Sequence, residues 1–144
     1  MQFLQRRALP LRQKIGVVVA TPWYHCLMKT IAIQCSPLSV NKAWQGRRFK
    51  TDDYKSYEIE VSALLPYDIK NTAEDGQLYE LTYRFYLKYH ATTDYDNLLK
   101  PLQDILVMNG VLKDDRFIYK AHQEKIPSDV DRIEILIEPY ILPE

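Results

Sequence analysis

The stretch TTDYDNLLKPLQDILVMNGVLKDD, Thr92 to Asp115, concentrates residue types that hydrolytic chemistry uses. Asp94 and Asp96 stand two apart, Lys100 follows four residues after Asp96, and a second acidic pair, Asp114 and Asp115, closes the segment. In an extended loop, side chains at i and i+2 project the same way, so Asp94 and Asp96 are expected to share a face. A helix starting near Asp96 or Asn97 places a partial positive charge there, which favours a carboxylate or a phosphate oxygen. If the fold returns Asp114 and Asp115 to this place, the converging carboxylates repel one another unless a cation neutralises them. All-oxygen donors select hard divalent ions, Mg²⁺ or Mn²⁺, over zinc. Such a site suits phosphodiester hydrolysis, in which metal ions polarise the phosphate, generate hydroxide and stabilise the leaving oxygen. Lys100, one helical turn beyond Asp96, can reach the same phosphate or the developing charge.

Each piece also has a plainer reading when taken alone. An isolated D-x-D serves as a capping turn, and Asp114-Asp115 as a turn. Asp104 is placed on the solvent side of its helix and Lys100 on a surface. His90 and His122 carry no partner signal and read as structural or exposed.

The elements that must position these residues are legible from periodicity. Residues 28–36, MKTIAIQCS, read as a strand with Ile31 and Ile33 on one face. The segment 37–51 reads as a loop carrying Lys42, Arg47, Arg48 and Lys50 around Trp44 and Gly46. Thr51 or Asp52 can cap a helix to about Leu65, with Tyr54, Tyr57, Val61, Leu64 and Leu65 on its apolar side and Pro66 ending it. From Gln77 to Tyr89 every odd position from Tyr79 is apolar, a strict period of two with one buried face. After the acidic loop, Leu98, Leu99, Leu102, Ile105 and Leu106 predict a helix to about Val107, stopped by Asn109-Gly110. A start near Asn97 keeps Pro101 within the first turn, where it is tolerated. Val111–Lys113 reads as a short extended stretch, residues 116–126 as a strand, and 132–138 as the last strand after the turn PSDVD. The predicted fold is α+β in the order β-α-β-α-β-β, a small mixed sheet with two helices packed on one face.

Composition bounds the rest. The 144 residues, 47% apolar and 26% charged, suit one domain with an ordinary core. No apolar run approaches the roughly 20 residues that span a bilayer. Cys26 and Cys35 lack metal-ligand spacing, and a reduced cytosolic pair is the expectation. Residues 1–27 form an N-terminal extension, read as a poorly ordered arm or an upstream start, and the domain proper is expected over 28–144. Net charge is zero, yet the first fifty residues contain Arg6, Arg7, Arg12, Lys14, Lys29, Lys42, Arg47, Arg48 and Lys50 and no acid. That split suggests either a basic patch for a polyanion beside a separate acidic site, or a fold that interleaves the two parts.

The pattern as a whole, DYDNLLK, a helix ending in NG, and DD, resembles the RusA family of Holliday-junction resolvases. SPLSVNKAW after the first strand resembles that family's opening loop, and Lys125, ten residues after Asp115, matches a lysine on its following strand. The resemblance runs from about Lys29 to Glu138. It implies an Mg²⁺-dependent homodimeric endonuclease, cytoplasmic and nucleoid-associated when acting, that cuts four-way DNA junctions in recombination and repair. It implies that Asp94, Asp96 and Asp115 are the catalytic, metal-binding carboxylates and Lys100 the active-site lysine, with Asn97 and Asp114 in support. Lys42, Arg47, Arg48, Lys50 and Lys125 are the expected DNA contacts. Two other functions remain open at this point: a nuclease for forks or flaps, and a non-catalytic DNA-binding module.

Overall fold

The alternating segment forms the central long strand. The computed structural model describes residues 28–46 and 49–143. Its elements are β1 (Lys29–Ile33), α1 (Val40–Ala43), β2 (Trp44–Gln45), β3 (Phe49–Lys50), α2 (Asp52–Leu64), β4 (Tyr79–Leu87), α3 (Leu99–Met108), β5 (Ile118–Pro127) and β6 (Arg132–Pro139). In β4 the odd residues are buried, Leu81, Tyr83 and Phe85 completely so. Tyr89 lies beyond the strand end and is exposed, unlike the residues whose period it shares.

The main sheet runs β1-β6-β4-β5, with β4 and β5 parallel and the other pairs antiparallel. Register places Ile31, Ile135 and Tyr83 in one cross-strand row and Ile33, Ile133 and Phe85 in the next. These rows and the apolar sides of the helices make one core. The opposite face is polar: Lys120 pairs with Glu80 at 3.4 Å, and the Tyr86 hydroxyl donates to Glu134 at 2.8 Å. One packed face and one solvated face is what the alternation requires.

Local chemistry sets the helix ends. Thr51 caps α2 by accepting from the Tyr54 amide at 3.2 Å, while its own hydroxyl donates to Lys42 O at 2.6 Å. Tyr54, Tyr57 and Val61 are buried; Leu64, in the last turn, is exposed, so the apolar side is narrower than its sequence suggests. A 3-10 turn over Tyr95–Leu98 precedes α3, which leaves Pro101 in the first α-turn. Val111–Lys113 is not a strand. The Val111 amide bonds back to Leu106 O at 3.0 Å, and Val111 and Leu112 fill the core below the helix end. Residues 37–51, expected as a loop, contain α1 and the paired β2 and β3. Cys35 is a buried free thiol, pushed up to about 12 by burial and by Glu60 and Asp131; Cys26 and the whole extension 1–27 lie outside the described residues. No helix among the described residues is long and apolar enough to cross a membrane.

The stop after α3 tolerates only glycine. Gly110 has φ +69°, and a Cβ there would stand 2.6 Å from Asn71 Oδ1 and 2.8 Å from Asn71 Cα. Asn71 cannot retreat, because its amide donates to Asn109 O at 3.0 Å while Ala73 N donates to Gly110 O at 2.9 Å. Gly110→Ala should therefore destabilise the fold by more than about 1 kcal/mol, read as a lowered midpoint in urea unfolding; an unchanged midpoint would contradict this packing.

Candidate active site

A parallel pair of strands cannot be joined by a tight turn, so the chain between β4 and β5 must travel the length of the sheet. That crossover, residues 88–117, carries the whole acidic constellation. Strand β5 holds its first part in place. The Lys125 ammonium donates to His90 O at 2.6 Å and Thr93 O at 2.7 Å, and the Gln123 side-chain amide donates to Tyr95 O. The backbone on both sides of Asp94 is thus pinned from the sheet. Lys125, expected to contact DNA, is committed to these two carbonyls.

Asp94 has extended backbone, φ −75° and ψ 124°, immediately before the 3-10 turn that contains Asp96 and Asn97. The shared face expected of an extended Asp94-Tyr95-Asp96 therefore does not arise from strand alternation, because the backbone turns at Tyr95. Both carboxylates are exposed, and neither has an ion-pair or hydrogen-bond partner among the described residues. Asp94 and Asn97 line a cleft of about 320 Å³ whose other wall includes Asn41 and Lys42.

The second acidic pair comes back to the start of α3. Lys100 donates to Asp115 Oδ2 at 2.7 Å, across 15 residues, and pairs with Asp104 Oδ1 at 2.8 Å, one helical turn on. One ammonium shared by two carboxylates is held well above the ordinary lysine value by those hydrogen bonds, Asp104 first and Asp115 second. Asp115 is held below the usual carboxylate range, chiefly by its hydrogen bond with Lys100 and then by Asp114. Asp114 caps the turn Asp115–Phe117 by accepting from Arg116 N at 3.0 Å, which fixes the backbone that presents Asp115.

Three partners of this group were not singled out by spacing. Asp104, placed on the solvent side in the sequence, is the second anchor of Lys100; its i, i+4 position was the available signal. Behind it lies Tyr54 of α2, whose phenol is pushed up to about 12 by burial and by the neighbouring Asp104 carboxylate. Gln103 donates to the Tyr83 hydroxyl at 3.0 Å and fastens α3 to β4 below the site. The basic segment approaches from the other side. Lys50 pairs with Glu58 at 2.7 Å and stands 5.3 Å from the Tyr54 ring centroid, and Trp44 meets that ring edge-on at 5.4 Å. Arg47 and Arg48 lie outside the described residues.

The donor set, carboxylates with an asparagine nearby, suits a hard divalent cation in type. Among the described residues no three His, Cys, Asp or Glu side chains are gathered closely enough to hold a metal ion together. Asp115 has the Lys100 ammonium as its positive partner instead.

This pairing has a measurable consequence. A carboxyl whose pKa is depressed in the fold adds stability above its unfolded value of about 3.9, and that stability is lost as pH falls through the lower folded value. Lys100→Met should move the Asp115 midpoint upward in a carboxyl-detected NMR titration and lower stability at neutral pH, a deficit that shrinks as pH falls through the carboxyl range. An unmoved midpoint would mean that the Lys100–Asp115 contact does not persist in solution.

The family described as Endodeoxyribonuclease RusA matches residues 37–138, which span α1 through all but the last residue of β6 and every residue of the crossover. The chain is similar to the Crossover junction endodeoxyribonuclease RusA of Aquifex aeolicus (strain VF5), 28% identical over 123 residues that cover 81% of this chain and 97% of that one. The match includes the acidic loop, the lysine shared by Asp104 and Asp115, and the sheet that carries them, and on that footing the chain belongs to the RusA family of endodeoxyribonucleases.

Proposed function

We propose that the protein is a divalent-metal-dependent endodeoxyribonuclease that resolves four-way DNA junctions, and that it acts as a homodimer. The observation that carries this reading is the return of Asp115 to Lys100, which brings the end of the crossover back to the first turn of α3, next in the chain to the acidic loop. Asp94, Asp96 and Asp115 are the proposed metal-binding carboxylates, for Mg²⁺ or Mn²⁺. When bound, such an ion supplies charge neutralisation at the phosphate and a water of lowered pKa.

The chain's own groups have separate tasks. Lys100 offers its ammonium to the scissile phosphate and neutralises the charge that builds there. Asp104 keeps that ammonium placed when Asp115 turns to other partners. Asn97 and Asp114 steady the two ends of the acidic constellation, the latter through its cap on Arg116 N. Lys42, Lys50, Arg47 and Arg48 neutralise phosphates flanking the cut. Lys125 serves the reaction indirectly, by holding the backbone at His90 and Thr93. A junction has near two-fold symmetry and needs cuts in two opposing strands, which two equivalent sites of an isologous dimer supply.

Cleavage of a synthetic four-way junction, a fork and a linear duplex in Mg²⁺ and Mn²⁺ tests the proposal. Junction cutting should dominate, and Asp96→Asn or Lys100→Met should each slow it at least about 100-fold with junction binding retained. Undiminished cutting by Asp96→Asn would sink the site; faster cutting of forks would move the substrate; binding without cleavage in either metal would leave a DNA-binding module. Lys42→Ala should flatten the logarithmic salt dependence of junction affinity by about 0.9, the loss of one phosphate contact.

A further inference from the structure

Tyr54 carries a hydroxyl that its place in the core does not require. The ring is 1% exposed, meets Trp44 edge-on at 5.4 Å and has the Lys50 ammonium 5.3 Å from its centroid, contacts that a phenylalanine would keep. Its backbone is equally fixed. The Tyr54 amide donates to the Thr51 cap at 3.2 Å, and the Thr51 hydroxyl donates to Lys42 O at 2.6 Å. Two fully buried tyrosines meet α3 at consecutive residues: the Tyr83 hydroxyl accepts from Gln103 at 3.0 Å, and the Tyr54 phenol neighbours the Asp104 carboxylate. Burial, then that carboxylate, keep the Tyr54 phenol protonated, so it has a proton to give to a group that can only accept.

Asp104 needs such a hold. It is the i, i+4 partner of Lys100 at 2.8 Å, and Asp115 is the other partner at 2.7 Å. Asp115 belongs to the proposed metal site, so Asp104 is the partner that Lys100 keeps while a phosphate is bound. Yet the pair is open: the Lys100 side chain is 54% exposed and that of Asp104 34%, and water competes for groups so placed. An aspartate on a helix surface has several rotamers, and not all of them face a lysine one turn away. A donor fixed by the core selects one of them without adding a second cation to compete with Lys100.

Resting on the nuclease reading above, we infer that Tyr54 is a positioning residue for the active-site lysine: its hydroxyl donates to Asp104 and fixes the carboxylate that aims the Lys100 ammonium at the scissile phosphate. The tyrosine itself touches neither substrate nor metal. Loss of the hydroxyl therefore slows turnover and leaves junction affinity alone.

The test uses the full chain and a synthetic four-way junction in Mg²⁺ and in Mn²⁺. Tyr54→Phe keeps the ring and removes the hydroxyl; its kcat should fall about tenfold with KM within about twofold of wild type. Asp104→Ala should lose at least as much. The double variant should be no slower than Asp104→Ala alone, because the hydroxyl acts through the carboxylate. A measurement independent of turnover, and of any change at Tyr54, uses protein labelled at tyrosine Cζ, free of metal and DNA. The Tyr54 resonance, assigned through its contact with Trp44, should shift in Asp104→Ala. An undiminished kcat in Tyr54→Phe, a loss confined to KM, losses that multiply in the double variant, or an unmoved Tyr54 resonance each overturns the inference alone. A wild type that cuts no junction in either metal overturns the nuclease reading, and this inference with it.

Discussion

The parallel pairing of β4 with β5 is the constraint on which the rest of the structure depends. Strands that run the same way force their connection to leave at one end of the sheet and re-enter at the other. Here the chain leaves after Leu87 and re-enters at Ile118, and the 3-10 turns, α3 and both acidic pairs lie between. Had these strands been antiparallel, a short turn would have sufficed, with no length of chain in which to mount a site. The route also explains why residues 15 apart meet. The helix takes the chain away from the acidic loop, the stop at Gly110 reverses it, and Asp115 arrives back at the start of α3, where Lys100 stands.

Register supplies the second half of the explanation. The row Ile31–Ile135–Tyr83 continues onto β5 as Gln123, and the row Ile33–Ile133–Phe85 continues as Lys125. On an edge strand facing a core, glutamine and lysine look misplaced, because burying an unpaired charge is costly. They are not facing apolar side chains. The acidic loop lies over them, and its carbonyls at His90, Thr93 and Tyr95 accept their protons. The polar inner side of β5 is thus the mould for the loop. The ion pairs above it are different in kind: the Lys100 side chain is 54% exposed, and pairs so open to water stabilise a fold by only about 0.2–1 kcal/mol each. Their effect is on where an ammonium stands rather than on whether the protein folds.

Much of this was readable in the residues, and the unread part has physical causes. The rows of β4 and β6, the cap at Thr51 and the stop at Asn109-Gly110 follow from local rules that need no partner. Asp94, Asp96, Lys100 and Asp115 stood out because their types and spacing had no packing use. Lys125 was seen as a cation and assigned to phosphate, since nothing in a one-dimensional pattern says which loop will cover an edge strand. Val111–Lys113 looked extended because two apolar residues before a charge fit a strand as well as a plug; the bond from Val111 N to Leu106 O decides it. Tyr54 read only as core, because its ring fits the apolar stripe of α2 and its hydroxyl's neighbour lies on another helix, fifty residues away.

That tyrosine also joins a described part of the basic segment to the acidic remainder. Among the described residues, Lys50 pairs with Glu58 and lies against one buried ring. Trp44 and Lys50 pack on Tyr54 from the basic side, and its hydroxyl end faces Asp104, which shares Lys100 with Asp115. Lys50 and Asp104, which holds Lys100, therefore neighbour the same rigid side chain, 1% exposed and fixed by the core around it. Rigidity matters more than charge in that position. A flexible spacer would let the opposite charges of Lys50 and Asp104 set the distance between them, whereas a buried aromatic ring fixes it.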